Sequence, residues 1–265
     1  MRYNIVAFFI LIITVLSAWI ASAEGVATEG VATKSADDLW GEAEGAYREG
    51  NFAEAAAAYE AIIAQGKESA ELYYNLGNAY FKQNNLGRSI LFYNRALLLT
   101  PSDEDVRHNL MYARTKTKDN IQQLPEFFFV RWIKSIRDWM SSDGWAMWSL
   151  LSFVVAVAAL LVYLLVRRVA WRKVGFYLMS LSALIFIITT LFASSSRKIL
   201  VERDGAVVMS SAVSVKSSPD KNATELFVLH EGTELKLSGE DGTWREVQIA
   251  DGRTGWIEQM HIEEI

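Results

Sequence analysis

The hydrophobic and polar positions change their rhythm five times along the chain. An apolar run from Ile5 to Ile20, broken only by Thr14 and Ser17, opens it behind Arg2. From residue 36 to 118 apolar positions recur at helical spacing, as on helices that bury one stripe each. Between Leu124 and Met140 the stripe sharpens: Phe129, Trp132, Ile133, Ile136, Trp139 and Met140 share one helical face, with Arg131, Lys134, Arg137 and Asp138 opposite. Two uncharged spans follow, 145–166 and 174–196, each long enough to cross a hydrocarbon core of roughly 30 Å at about 1.5 Å per residue. From Ala206 the rhythm shortens to strands punctuated by turns. These are Ala206–Met209, Val213–Lys216, Glu225–Leu229, Glu234–Ser238, Thr243–Gln248 and Arg253–Glu258. Asp251-Gly252 predicts a type I′ hairpin, in which both central residues take positive φ.

Within the helical stretch the chain repeats itself. Asn51-Phe52 returns as Asn85-Leu86, Ala55 as Ser89, Tyr59 as Tyr93 and Ile63 as Leu97, each 34 positions on. A 34-residue period built of two helices is that of tetratricopeptide repeats. The copies span about 36–69 and 70–103. The second resembles the family pattern more fully, with Tyr73, Leu76, Gly77, Tyr80, Ser89, Tyr93, Ala96 and Pro101 in place; the first has Ala43 and Ala46 where Gly77 and Tyr80 stand. A helix over 103–118, N-capped by Ser102 or Asp103, reads as a cap. Two copies and a cap fall short of the three repeats such arrays usually need, so dimerisation or docking on another part of a complex is expected to complete them.

The resemblance implies a groove formed by the first helix of each pair. Its positions here are Trp40, Glu44 and Tyr47 in the first copy, and Tyr74, Asn78 and Phe81 in the second. The same aromatics also fit simple packing against a neighbouring helix. Asn78 and Asn109 stand where some members hold a peptide carboxylate. Tyr74 and Trp40 occupy the place of the lysine that would complete that clamp, so carboxylate recognition is not expected.

The two long spans predict transmembrane helices, with Trp145, Trp148 and Trp171 near their ends, where interfacial aromatics belong. Their connection, 167–173, holds Arg167, Arg168, Arg172 and Lys173 and no anion. Positive loops stay in the cytoplasm, which puts the repeats and the C-terminus outside. The opening run, ending in Ala21-Ser22-Ala23, reads as a signal peptide over 1–23 followed by a polar spacer over 24–35, and it points to the same side. An uncleaved anchor is the alternative. No charge interrupts either span, which argues against an ion path or transport site. For 124–140 two readings stand: a helix lying in the bilayer surface, or a third repeat helix packing its stripe on the first two.

The C-terminal stretch, 206–265, resembles a bacterial SH3-type domain. The likeness runs through Val213-Ser214-Val215-Lys216, Leu229-His230-Glu231-Gly232-Thr233, Trp244-Arg245-Glu246-Val247 and Gly252-Arg253-Thr254-Gly255-Trp256-Ile257. It implies binding of cell-wall peptides or proteins, with Trp244 and Trp256 as candidate ligand contacts. Trp256 also suits the core of so small a barrel. The expected architecture is thus a multidomain membrane protein: an all-α tetratricopeptide repeat domain, two transmembrane helices and an all-β SH3-like barrel.

Composition narrows the chemistry. The net charge of −5 comes with no basic stripe, which argues against nucleic acid. Cysteine is absent, removing thiol nucleophiles and the cysteine-peptidase partners often fused to SH3-type domains. The three histidines, His108, His230 and His261, fall on separate elements without a zinc motif, phosphate loop or nucleophile elbow. No metal, cofactor or catalysis is expected.

Signal peptide, paired repeats, a membrane hairpin with a basic turn and a terminal SH3-type domain occur in that order in the BatE proteins of the Bacteroides aerotolerance operon, which the whole mature chain resembles. The resemblance implies a non-enzymatic inner-membrane adaptor in an envelope complex with von Willebrand factor A-type membrane proteins and a MoxR-type ATPase, linked to oxygen or stress tolerance. The competing function is wall binding or wall sensing, with peptidoglycan stem peptides on the barrel.

Overall fold

The computed structural model describes residues 34–121 and 124–265. The expected signal peptide and all but the last two residues of the spacer lie outside them.

Five helices form the N-terminal part: α1 (Ala36–Glu49), α2 (Phe52–Ala64), α3 (Ala70–Lys82), α4 (Leu86–Leu99) and α5 (Glu104–Arg114). Their boundaries are written in side-chain chemistry. Ser69 Oγ accepts from Leu72 N–H, Asn85 Oδ1 from Arg88 N–H, and Asp103 Oδ1 from both Asp105 and Val106 N–H, satisfying amides that the helices leave unpaired. Of the two cap residues considered for α5, Asp103 makes these bonds. The α3–α4 seam is set by Gly77: a Cβ there would stand 2.7 Å from Tyr93 Cδ1, so only glycine lets the helices approach this closely. Leu72, Leu76, Ile90, Leu91, Tyr93 and Ala96 are buried along that seam.

Helix α6 (Phe128–Arg137) buries none of its residues. It is shorter than the 124–140 stretch expected: Pro125 has no amide hydrogen to give a helix, and Asp138 ends it. A sharp elbow leads to α7 (Ser142–Leu165), where Ser141 Oγ accepts from Gly144 N–H and the Trp145 indole donates to the Arg137 carbonyl at 2.8 Å. Helix α8 (Val169–Glu202), 34 residues long, runs antiparallel to the 24-residue α7 and outlasts it. Both are long and apolar enough to cross a membrane. Ser149 and Thr190 share a hydroxyl–hydroxyl bond of 2.7 Å between them, and Trp145 meets Phe192 at 4.9 Å at one end. The connection is tighter than the expected loop at 167–173. Only Val166, Arg167 and Arg168 lie between the helices, and Arg172 and Lys173 already belong to α8, because Val169, Ala170 and Trp171 give no signal to stop.

Two residues after α8 the β domain begins. Its strands are β1 (Gly205–Val208), β2 (Val213–Lys216), β3 (Glu225–Leu229), β4 (Glu234–Asp241), β5 (Trp244–Gln248), β6 (Thr254–Glu258) and β7 (Ile262–Glu264), antiparallel throughout in the order β3-β2-β6-β5-β4-β1-β7. Val208, Val215, Leu229, Val247 and Ile257 fill its core. The β5–β6 turn is not the expected type I′. Gly252 takes φ +90° but Asp251 stays negative, since its carboxylate accepts from Arg253 N–H at 3.0 Å and Ile249 closes a longer loop with Arg253.

The β domain packs on the repeats rather than standing apart. Val207 joins the helical core, with Met209 and Ile265 against it. Glu234 accepts two hydrogen bonds from Arg114, at 2.6 and 2.7 Å, and one from Asn94 at 2.8 Å. Arg95 donates to the Glu264 carbonyl at 2.6 Å, and Glu231 accepts from Gly87 N–H at 2.9 Å. Gly232, at φ +85°, fits between Thr117 and Ile90, where a Cβ would meet Thr117 Cγ2 at 2.7 Å. The two repeats and cap are thus completed from within the chain.

Candidate partner-binding groove

Helices α1, α3 and α5 line the concave side of the repeats. Tyr47, Tyr74, Asn78, Phe81, Lys82, Tyr93, Asn109 and Tyr112 surround a depression of about 330 Å³. A second depression of about 330 Å³ adjoins it, lined by Glu44, Tyr47, Arg48, Tyr59, Asn75 and Asn78. Of the six groove positions that the tetratricopeptide resemblance implied, Glu44, Tyr47, Tyr74, Asn78 and Phe81 come together here. Trp40 does not: it sets its ring edge-on to Tyr59 at 5.6 Å and donates its indole N–H to Glu44 at 3.0 Å.

The polar centre of the groove is a small network. Asn109 Nδ2 donates to the Tyr74 hydroxyl at 3.1 Å and to Asn78 Oδ1 at 3.0 Å, and the Tyr93 hydroxyl donates to Asn78 Oδ1 at 2.6 Å. With its oxygen occupied, Asn78 keeps its amide N–H groups for a visitor, and Asn109 keeps its oxygen. One donor and one acceptor side by side suit the amide groups of a peptide backbone. Around them stand aromatic faces: Tyr74 tilts on Tyr93 at 6.1 Å, Phe81 on Tyr112 at 5.6 Å, and Tyr47 packs edge-on against Phe52 at 5.2 Å. Burial pushes the Tyr59 phenol up to about 12, with the Glu44 carboxylate adding to it, and raises Tyr47 and Tyr93 as well. All three stay neutral hydrogen-bonding groups at physiological pH.

Asn109, set beside Asn78 in the sequence reading, and Tyr112, which was not among the expected positions, complete the groove from the cap helix. The signal was there: one further step of 34 from Asn78 lands on Tyr112, and from Asn75 on Asn109.

In the β domain the two tryptophans part company. Trp244 is 8% exposed and offers little surface. Trp256 is half-buried on the face opposite Gly255 and Ile257, which point inward, so the core position considered for it belongs to Ile257 instead. Elsewhere on the domain Arg253 lies over the Phe227 ring at 4.5 Å.

The histidines are less isolated than expected. His230 donates its backbone N–H to Asp119 Oδ2 at 2.7 Å, and its ring Nδ1 lies 2.7 Å from Asp119 Oδ1; Thr233 Oγ1 donates to Oδ2 at 2.7 Å. Burial works to raise the Asp119 carboxyl, but these bonds from Thr233 and His230 outweigh it and hold it below the ordinary value. With every bond on it used, Asp119 is a clasp between the segment after α5 and the β domain. His261 Nδ1 meets Ser210 Oγ at 2.8 Å, and among the described residues no carboxylate is bonded to that ring. No cluster of metal-ligating side chains occurs among the described residues.

Comparison with known families agrees with this division. Residues 41–104 match the tetratricopeptide repeat, and residues 211–263 match the bacterial SH3 domain. No curated protein matches the chain. Both modules are typically non-catalytic and serve interactions with proteins or peptidoglycan.

Proposed function

We propose that this protein is a membrane-anchored scaffold of the bacterial cell envelope, which receives an extended segment of a partner protein in the groove of α1, α3 and α5. The observation that carries this reading is the unfilled depression of Tyr47, Tyr74, Phe81 and Tyr112 around Asn78 and Asn109, on repeats whose other side is already covered by the β domain. Rigid aromatic rings give contact area at low entropic cost, and the two amides fix the register of a bound backbone.

Helices α7 and α8 anchor the scaffold in the inner membrane. Arg167, Arg168, Arg172 and Lys173 cluster at the turn between them, and that supports a cytoplasmic turn with both folded domains on the periplasmic side. Helix α6 lies along the outer bilayer surface: Phe127 and Phe128 are 84% and 83% exposed, and Trp132 and Trp139 are exposed beside them. The domain order supports membership of the BatE group, with von Willebrand factor A-type membrane proteins and a MoxR-type ATPase system as the setting and aerotolerance or stress as the occasion.

A second reading, binding of peptidoglycan stem peptides, is favoured by the half-buried Trp256 and the Phe227–Arg253 pair on the β domain. A photo-reactive residue in place of Phe81, introduced into the full-length protein in cells, separates the two. The scaffold predicts discrete envelope proteins cross-linked at 81 and lost on adding Tyr74→Ala and Asn78→Ala. Sedimentation with insoluble peptidoglycan, abolished by Trp256→Ala and indifferent to the groove changes, with no cross-linked protein at 81, overturns the scaffold in favour of the wall.

A further inference from the structure

Where the hairpin meets the folded domains there is a cavity of about 360 Å³, within the size range of small-molecule sites. It is walled by α4 and the start of α5, by the α6–α7 elbow, by the end of α8 and by the first residues of the β domain. Three arginines line it, Arg107, Arg137 and Arg203, together with Ser142 and Ser196. We propose that this cavity binds the phosphate of an anionic phospholipid headgroup. The inference rests on the membrane anchoring argued above.

Its level in the membrane follows from the helices. Trp145 on α7 and Phe192 on α8 are in ring contact, so those residues lie at one depth, at the outer end of the two apolar runs. Ser142 stands three residues before Trp145, and Ser196 four residues after Phe192. At about 1.5 Å per residue both serines lie roughly 5–6 Å beyond that level, within a headgroup layer of about 5–8 Å. The cavity therefore opens its floor where lipid phosphates reside.

Charge and hydrogen bonding select the ligand. Two carboxylates also line the cavity, Asp138 and Asp204, and each already has a cation: Arg137 Nε donates to Asp138 at 2.7 Å, and Lys236 Nζ lies 3.3 Å from Asp204. Arg107 uses one N–H on the Pro101 carbonyl, and the Arg203 guanidinium donates no hydrogen bond to another described residue, only its backbone N–H bonding the Ile199 carbonyl. A guanidinium carries five N–H donors, so most remain for an incoming anion. Phosphate matches that planar fork. Arg203 is held at the site by the chain itself, in the left-handed region at φ +42°, as the residue that caps the α8 C-terminus. The Trp145 bond to the Arg137 carbonyl fixes the elbow that carries the third arginine.

The test uses the full-length protein. Membranes are first washed with alkaline carbonate; a protein released by that wash refutes the anchoring and the inference with it. For protein retained and then extracted in mild detergent, native mass spectrometry follows titration with phosphatidylglycerol, phosphatidylcholine and inorganic phosphate. Phosphatidylglycerol should bind at least tenfold tighter than phosphatidylcholine, and Arg107→Gln with Arg203→Gln should remove most of that preference, roughly tenfold or more. Both arginines are exposed, so the double variant keeps its fold, checked by an unchanged melting temperature. Ser196→Glu, which places an anion in the cavity, should also abolish the preference, whereas Lys221→Gln on the far strand turn should leave it intact. Equal binding of the two lipids by the retained protein overturns the inference. Displacement of phosphatidylglycerol by millimolar inorganic phosphate also overturns it, assigning the cavity to a free anion.

Discussion

On one side of the repeats, Arg114, Asn94, Arg95 and the Gly87 amide meet carboxylates and a carbonyl of the β domain; on the concave side, Tyr74, Asn78, Tyr93 and Asn109 meet only one another. The first side is closed by long-range bonds to residues more than 110 positions away, the second by a network local to the helices. Both are equally polar, so polarity does not tell a finished surface from a vacant one. What differs is whether the partner of each group lies in the same chain.

Changes that strike the frame shared by both sides should have the largest effect. Gly77→Val drives a branched side chain into the Tyr93 ring and should cost about 1–3 kcal/mol, since overpacked seams strain their neighbours. The melting temperature reports it, and partner cross-linking should fall with it because Tyr93 orients Asn78. Next comes the closed side alone. Glu234→Ala leaves Arg114 and Asn94 without their acceptor and should cost about 1–2 kcal/mol. A double-mutant cycle with Arg114→Ala should return a coupling of the same order; additivity of the two changes would mean that the ion pair does not hold the domains.

Acid should loosen the same closed side. In the folded chain Asp119 ionises below its ordinary 3.8, so its clasp on His230 and Thr233 contributes stability above that value. The contribution is lost as pH falls through the lowered folded value, where the carboxyl takes up a proton. Protection of the amides of residues 115–121 and 229–234, relative to the unfolded chain, should therefore fall as pH drops below the ordinary 3.8, and Asp119→Asn should show low protection already at neutral pH. The smallest effect should be on the open side. Tyr74→Phe removes one acceptor of Asn109 and should cost about 0.5–1 kcal/mol. Unchanged cross-linking at residue 81 would assign partner affinity to ring faces, and a loss would assign it to the amide network.

The open side was largely legible in the sequence and the closed side was not. A 34-residue spacing marks the resemblance to tetratricopeptide repeats, and that resemblance implies the groove positions Tyr74, Asn78 and Phe81. Trp40 and Tyr74 both rest on a tyrosine of the following helix, but the Trp40 indole bonds back to Glu44 on its own helix, whereas the Tyr74 hydroxyl accepts from Asn109 in the groove. The long apolar helices were equally plain. Contacts such as Arg114 with Glu234 join residues 120 positions apart and leave no local pattern. Strand β7 was missed because Gln259–His261 forms a 3-10 turn that breaks the alternation before it. Trp256 shows the limit of reasoning from residue type: alternation along β6 decides which side a tryptophan takes, and Gly255 and Ile257 had claimed the inside.

Helix α8 does not end with its apolar run. It continues through Glu202 and passes into β1 with only Arg203 and Asp204 between them. The nine residues past Ala193 form a strut of about 13 Å, and a joint of two residues leaves it almost no play. With α7 and α8 as the proposed membrane anchor, the strut would set the height of the β domain above the lipid, and the bonds from Glu234 to Arg114 would pass that attitude on to the groove. A thickening, thinning or curving of the bilayer that tilts α8 would swing the groove as a rigid tray, altering which way it faces while leaving its shape untouched.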